Sequence, residues 1–120
     1  MKLRILNNSL RLRLTQTEVS DLATKGKVIS ETDFGHTVLQ YSICTQKDFE
    51  EITAHFTQNE IKVIAPETVV KNWANSETVG IKSEDGKGPL SILIEKDFQC
   101  LTVRAGEDDV DTFPNPHTVC

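Results

Sequence analysis

One apolar pattern occurs twice in this chain, 51 residues apart, and it constrains the fold more than any other feature of the sequence. At that offset Leu10 falls on Ile61, Leu12 on Val63, Val19 on Val70, Leu22 on Trp73, Ala23 on Ala74 and Val28 on Val79. The matched positions run through a strand, a helix and a second strand in the same order. The candidate helix starts, Thr15 and Pro66, coincide at the same offset. A sheet built from one such unit has an apolar face that it cannot cover alone. Two units can bury those faces against each other about an approximate two-fold axis.

The local signals within each unit are consistent with this reading. Leu3 and Ile5 alternate with Lys2 and Arg4, and beyond Asn7-Asn8 the residues Leu10, Leu12 and Leu14 alternate with Arg11 and Arg13. That period of two predicts a hairpin with one leucine-rich face buried and one arginine-rich face wet. The period then lengthens. Thr15-x-x-Glu18 has the form of a capping box, Val19, Leu22 and Ala23 follow at helical spacing, and Gly26 stands where a helix ends. Strands are expected near residues 27–32 and 37–44. In the second half, Ile52, Ala54 and Phe56 alternate with polar residues, and a turn at Gln58-Asn59 leads to Ile61 and Val63. Pro66 suits the first helical position, where its missing N–H costs nothing. Val70, Trp73 and Ala74 form the helix stripe. Strands near 79–82 and 90–96 close the unit, the last with an Ile92-Leu93-Ile94 run typical of a strand covered on both sides.

The expected fold is therefore α+β: two pseudo-symmetric ββαββ repeats forming a small barrel-like, mainly antiparallel sheet with two short helices. A single domain over 1–120 would divide into repeat 1 (about 1–44), a linker (45–51), repeat 2 (about 52–97) and a carboxyl-terminal strap (98–120). The length of 120 residues suits one domain.

Charge narrows the choice of partners. Residues 1–30 carry a net +4 and residues 31–120 a net −9, which together give the overall −5. Nucleic-acid binding is disfavoured by that total and would have to use the amino-terminal patch. No apolar run approaches the roughly 20 residues that cross a bilayer, and no apolar segment of a secretory signal follows the first basic residues. The expectation is a cytoplasmic protein with no membrane partner, either a monomer or a homodimer. Cys44, Cys100 and Cys120 are odd in number and irregularly spaced, so free thiols are expected.

Two groups of residues could carry chemistry. Arg4, Arg11 and Arg13, on one hairpin face, could hold phosphate or a nucleic-acid backbone; the plainer reading is a solvated face. In the tail, Cys100, Asp109, His117 and Cys120 are ligand types that zinc accepts. The alternatives there are a buried Cys100, a Cys100–Cys120 contact and a solvated acidic loop. Phe113-Pro114-Asn115-Pro116 predicts an extended strap over the domain, anchored by Phe113. His36, His55 and His117 are scattered, no nucleophile stands in a recognisable elbow, and Gly86-Lys87-Gly88 lacks the spacing of a phosphate-cradling loop. The sequence therefore leans away from an enzyme.

The stretch from Glu60 to Trp73, with its Ala65-Pro66-Glu67 helix start and the hairpin through Val79 to Leu93, resembles the AbrB-type swapped-hairpin unit. That resemblance implies two interlaced units, here fused in one chain, and a DNA-binding regulator that uses basic residues before the helix. The first half has Arg11 and Arg13 there, whereas the second has Glu60 and a lone Lys62. The whole chain also resembles a family of uncharacterised bacterial proteins. The shared segments are Ser9-Leu10-Arg11-Leu12-Arg13-Leu14-Thr15-Gln16, Glu95-Lys96-Asp97-Phe98-Gln99-Cys100-Leu101 and the closing Phe113-Pro114-Asn115-Pro116 with Cys120. Taken together, the readings favour a non-enzymatic binding or interaction module acting on a protein or small ligand. A DNA-binding regulator and a small zinc-binding protein are the alternatives.

Overall fold

A computed structural model describes residues 1–83 and 88–98. The elements run β1 (Lys2–Leu6), β2 (Ser9–Leu14), α1 (Gln16–Lys25), β3 (Lys27–Asp33), β4 (Val38–Gln46), β5 (Thr53–Thr57), β6 (Glu60–Pro66), α2 (Glu67–Ala74), β7 (Gly80–Lys82) and β8 (Ser91–Lys96). Strand-strand-helix-strand-strand is thus the order in each half. Turns with left-handed backbone at Asn7 and at Gln58 and Asn59 close the β1–β2 and β5–β6 hairpins. Short polar side chains such as asparagine tolerate that conformation.

Each helix end has a local cause. Thr15 Oγ1 accepts from the Glu18 backbone N–H, and Glu18 returns the bond to the Thr15 N–H at 2.9 Å, which completes the capping box. Gly26 ends α1 at φ +81, a conformation glycine adopts without strain, and its N–H donates to the Leu22 carbonyl. α2 begins differently. Pro66 is its N-cap rather than its first turn, and no side chain bonds the helix start.

The strands form two four-stranded sheets, one ordered β1-β2-β8-β7 and the other β3-β4-β6-β5. In both, two antiparallel hairpins join through a central parallel pair: β2 with β8, and β4 with β6. The opening hairpin of each half therefore lies beside the closing hairpin of the other. One core takes side chains from both sheets and both helices, among them Leu12, Leu14, Leu22, Ile43, Val63, Val70, Trp73 and Ile94. Full burial of one such side chain stabilises the fold by about 1.5–3 kcal/mol. The Trp73 indole N–H meets the Val79 carbonyl at 3.1 Å, so its polar edge is satisfied inside that core.

Three expectations need correction. The barrel-like sheet is instead two separate sheets with open edges, because the described strands pair only within each sheet and the sheets meet through side chains. Val79 does not take the place that Val28 holds. Val28 lies buried opposite Ile43, whereas Val79 is half exposed and the residue opposite Ile94 is Ile81. Gly26 alone joins α1 to β3, but Asn75–Val79 join α2 to β7, which moves the closing strand two positions along. Finally, the 45–51 connection is shorter than expected, since Thr45 and Gln46 still pair with Ala65 and Pro66. No described helix is long and apolar enough to cross a membrane.

Candidate functional site

Alternation on β2 fixes which side chains leave the core. Leu10, Leu12 and Leu14 point inward, so Ser9, Arg11 and Arg13 face outward. The register then assigns the neighbours. Arg4 lies opposite Arg11 and Lys2 opposite Arg13 on one side; Leu93 and Glu95 lie beside them on β8. β7 completes the rows, with Lys82 next to Leu93 and Gly80 next to Glu95. The outer face of the first sheet thus carries the row Lys2–Arg13–Glu95–Gly80 and the row Arg4–Arg11–Leu93–Lys82.

Five cations share this face with one buried carboxylate. Glu95 is buried, and its Oε1 accepts from Arg13 Nε at 2.8 Å. Arg11 Nε lies 2.8 Å from the same oxygen without hydrogen-bond alignment, and that buried nitrogen has no acceptor among the described residues. Lys2 reaches Asp97 at 3.1 Å, at the margin of the sheet. Arg4 and Lys82 have no carboxylate partner among the described residues. Three candidate residues from the sequence, Arg4, Arg11 and Arg13, are therefore brought together. Sequence reasoning missed Glu95, Lys82 and Gly80, which reach this face only through the long-range β2–β8 pairing. The Arg-Leu-Arg alternation carried the orientation of β2, whereas the Ile92-Leu93-Ile94 run, expected to be covered on both sides, has half-buried Leu93 on this outer face, and neither pattern carried the adjacency of the strands.

A cleft of about 1190 Å³ lies elsewhere, between α1, α2 and the end of β8, lined by Leu14, Val19, Ala23, Lys71, Ala74 and Phe98. None of the three arginines lines it.

The remaining candidates separate. His36 sits in the exposed β3–β4 turn and His55 on the exposed outer side of β5, 3.5 Å from Thr53 Oγ1. Cys44 is a half-buried free thiol. Cys100, Asp109, His117 and Cys120, proposed as zinc ligands, and the Phe113 strap lie outside the described residues, as does Gly86-Lys87. Among the described residues no three His, Cys, Asp or Glu side chains are grouped to hold a metal ion.

The amino terminus is tied down beside this sheet. The Met1 ammonium contacts Glu18 Oε2 at 2.6 Å, and the Met1 carbonyl accepts from Tyr41 Oη at 3.1 Å. Burial opposes ionisation of Glu18, but the Met1 ammonium and the bonds from Thr15 outweigh it and hold its carboxyl below the ordinary range.

The model of a family of unknown function, DUF7009, covers residues 1–117. No curated protein and no solved structure matches the chain.

Proposed function

The chain belongs to this family of unknown function, so its job has to be read from its own residues, and we propose that it is a non-enzymatic module that binds the backbone of duplex nucleic acid across the outer face of the first sheet. The observation that carries this reading is the gathering of Lys2, Arg4, Arg11, Arg13 and Lys82 on one sheet face, where Glu95 pairs with Arg11 and Arg13 and Asp97 pairs with Lys2. A protein of net charge −5 that concentrates cations on one sheet face has a directed attraction for polyanions despite its overall sign. The two rows hold no aromatic side chain on which a single-stranded base could stack. Arginine and lysine without such platforms suit phosphate contacts, which position a duplex and read little sequence. Titration of a fluorescent DNA duplex tests the reading. With about three phosphates neutralised, log affinity should fall against log salt with a slope of about −3. No binding at low salt would refute it.

The fold supports a finer statement of the same reading, that the two halves are duplicate swapped-hairpin units. In the parallel pairings Leu10 lies opposite Ile92 and Leu12 opposite Ile94, while Ile61 lies opposite Tyr41 and Val63 opposite Ile43. An offset of 51 carries Leu10 to position 61 and Tyr41 to position 92, so it maps one parallel pairing onto the other. It also maps Leu3–Leu12 onto Ala54–Val63 in the opening hairpins. On this view residues 1–44 and 52–97 are the two units. The first has kept a basic outer hairpin and the second has not. Separate expression of the two segments tests it: mixed segments should associate, since each lacks the hairpin that completes its sheet.

A further inference from the structure

We propose that Glu95 is a positioning residue, which holds Arg11 and Arg13 side by side so that their free guanidinium edges meet one phosphate group. This inference rests on the nucleic-acid reading and adds how the face holds its ligand. Both arginines approach the same carboxylate oxygen, Glu95 Oε1, and both do so through Nε at 2.8 Å. The terminal amino groups of the two side chains have no acceptor among the described residues. A guanidinium anchored at Nε keeps its terminal donors directed outward, and its planar fork matches the oxygens of a phosphate. The two arginines occupy alternate positions on β2, so their forks leave the same side of the strand.

The surroundings of Glu95 are built to keep it in place. Gly80 is its neighbour on β7, and a Cβ there would come within 2.9 Å of the Ile94 carbonyl oxygen and 3.0 Å of Glu95 Cβ. Glycine at that position leaves β7 close against β8 beside the carboxylate. Arg13 is the fully aligned donor, whereas Arg11 Nε is buried without an aligned acceptor. An arriving phosphate would complete the hydrogen bonding around that second guanidinium.

The position of Glu95 makes the test decisive in sign. If the face attracted polyanions by charge alone, removing a carboxylate would strengthen binding. A positioning role predicts the opposite. The experiment uses the full chain, a fluorescent DNA duplex at low salt, and the variants Glu95→Gln, Glu95→Asp and Arg13→Lys, each checked for a native melting transition. Inorganic phosphate serves as competitor. Wild type is expected to bind with the salt slope given above, while Glu95→Gln binds about tenfold more weakly despite its added positive charge. Arg13→Lys, which keeps the charge and loses the fork, should weaken binding to a similar degree while leaving the salt slope nearly unchanged. Should Glu95→Gln fail to fold, Glu95→Asp and Arg13→Lys decide between the same alternatives at constant charge. Wild-type binding with equal or tighter binding by Glu95→Gln, or an unchanged affinity for Arg13→Lys, overturns the positioning role and leaves the nucleic-acid reading standing. Absence of wild-type binding removes both. Competition by millimolar inorganic phosphate supports recognition of the phosphate group itself, and indifference to it overturns that part.

Discussion

The two opening hairpins have the same register and opposite chemistry on their outer sides. In the first, Lys2 and Arg4 face Arg13 and Arg11; in the second, Thr53 and His55 face Ile64 and Lys62, with Glu60 next along the strand. The closing hairpins extend the contrast. Glu95 and Gly80 lie beside the first pair, where Cys44 and Lys27 lie beside the second, and Glu31 adds a further acid to the second sheet. Inside, by contrast, the halves agree: Leu12 and Val63 are both fully buried, as are Val19 and Val70 or nearly so. Packing restricts inward positions to apolar side chains of limited volume, whereas outward positions are free to carry whatever a partner requires. A difference confined to outer faces is therefore the more informative about function.

The strongest test of the shared interior is a matched pair of helix positions that differ in size. Leu22 and Trp73 occupy matching helix positions, both buried, but Trp73 also bonds the Val79 carbonyl and lies 5.8 Å beneath Lys96 Nζ. Trp73→Ala should destabilise the protein by about 3–5 kcal/mol and Leu22→Ala by about 2–5 kcal/mol. Chemical denaturation should show a single transition for each. Two separated transitions would mean that the halves do not share a core.

The outer faces are tested by removing charge in matched pairs. Arg4→Gln with Arg11→Gln should weaken duplex binding by about 100-fold and reduce the salt slope by about two. Lys27→Gln with Lys62→Gln, on the second sheet, should change neither by a measurable amount. Equal effects from the two pairs would erase the distinction between the faces. The helix starts provide a smaller contrast. Thr15→Ala removes a capping box and should cost about 1 kcal/mol in thermal denaturation. Thr68→Ala, in the first turn of a helix that has no side-chain cap, should cost less.

Much of this arrangement was legible in the sequence, because local patterns carry it. The alternation of Leu10 to Leu14, the Thr15–Glu18 box, Gly26 and the Gln58-Asn59 turn each act over a few residues, and all are found where expected. Adjacency of distant strands has no such local signal. Nothing in Ser91–Lys96 indicates that it pairs with Ser9–Leu14 and not with its own half, and so the sequence alone does not place Glu95 beside the arginines. The same limit explains the barrel. Apolar patterning says that a face must be covered, and two sheets sharing side chains satisfy it as fully as one closed sheet does. The slip at Val79 has a different origin, since five residues follow α2 where Gly26 alone follows α1, and no periodicity encodes that length.

The smallest expected effect concerns the first helix start alone and depends on pH. Glu18 accepts from the Thr15 N–H and contacts the Met1 ammonium, and its carboxyl titrates below the ordinary range despite burial that acts the other way. A carboxyl whose value is lower in the folded than in the unfolded state adds stability that is fully present above the unfolded value, near 4.5, and is lost as pH falls through the folded value. Glu18→Gln keeps an acceptor for the Thr15 N–H and removes the charge. The stability difference between wild type and Glu18→Gln should therefore favour wild type at neutral pH and shrink steadily on acidification below about pH 4.5. No titratable carboxyl replaces Glu18 in the corresponding pairing of the second helix, where Pro66 caps without a side-chain bond. Melting curves of the two proteins across that range provide the check. A difference that stayed constant with pH would show that the Glu18 contribution is capping geometry and not charge, and the electrostatic half of the contrast between the two helix starts would be lost.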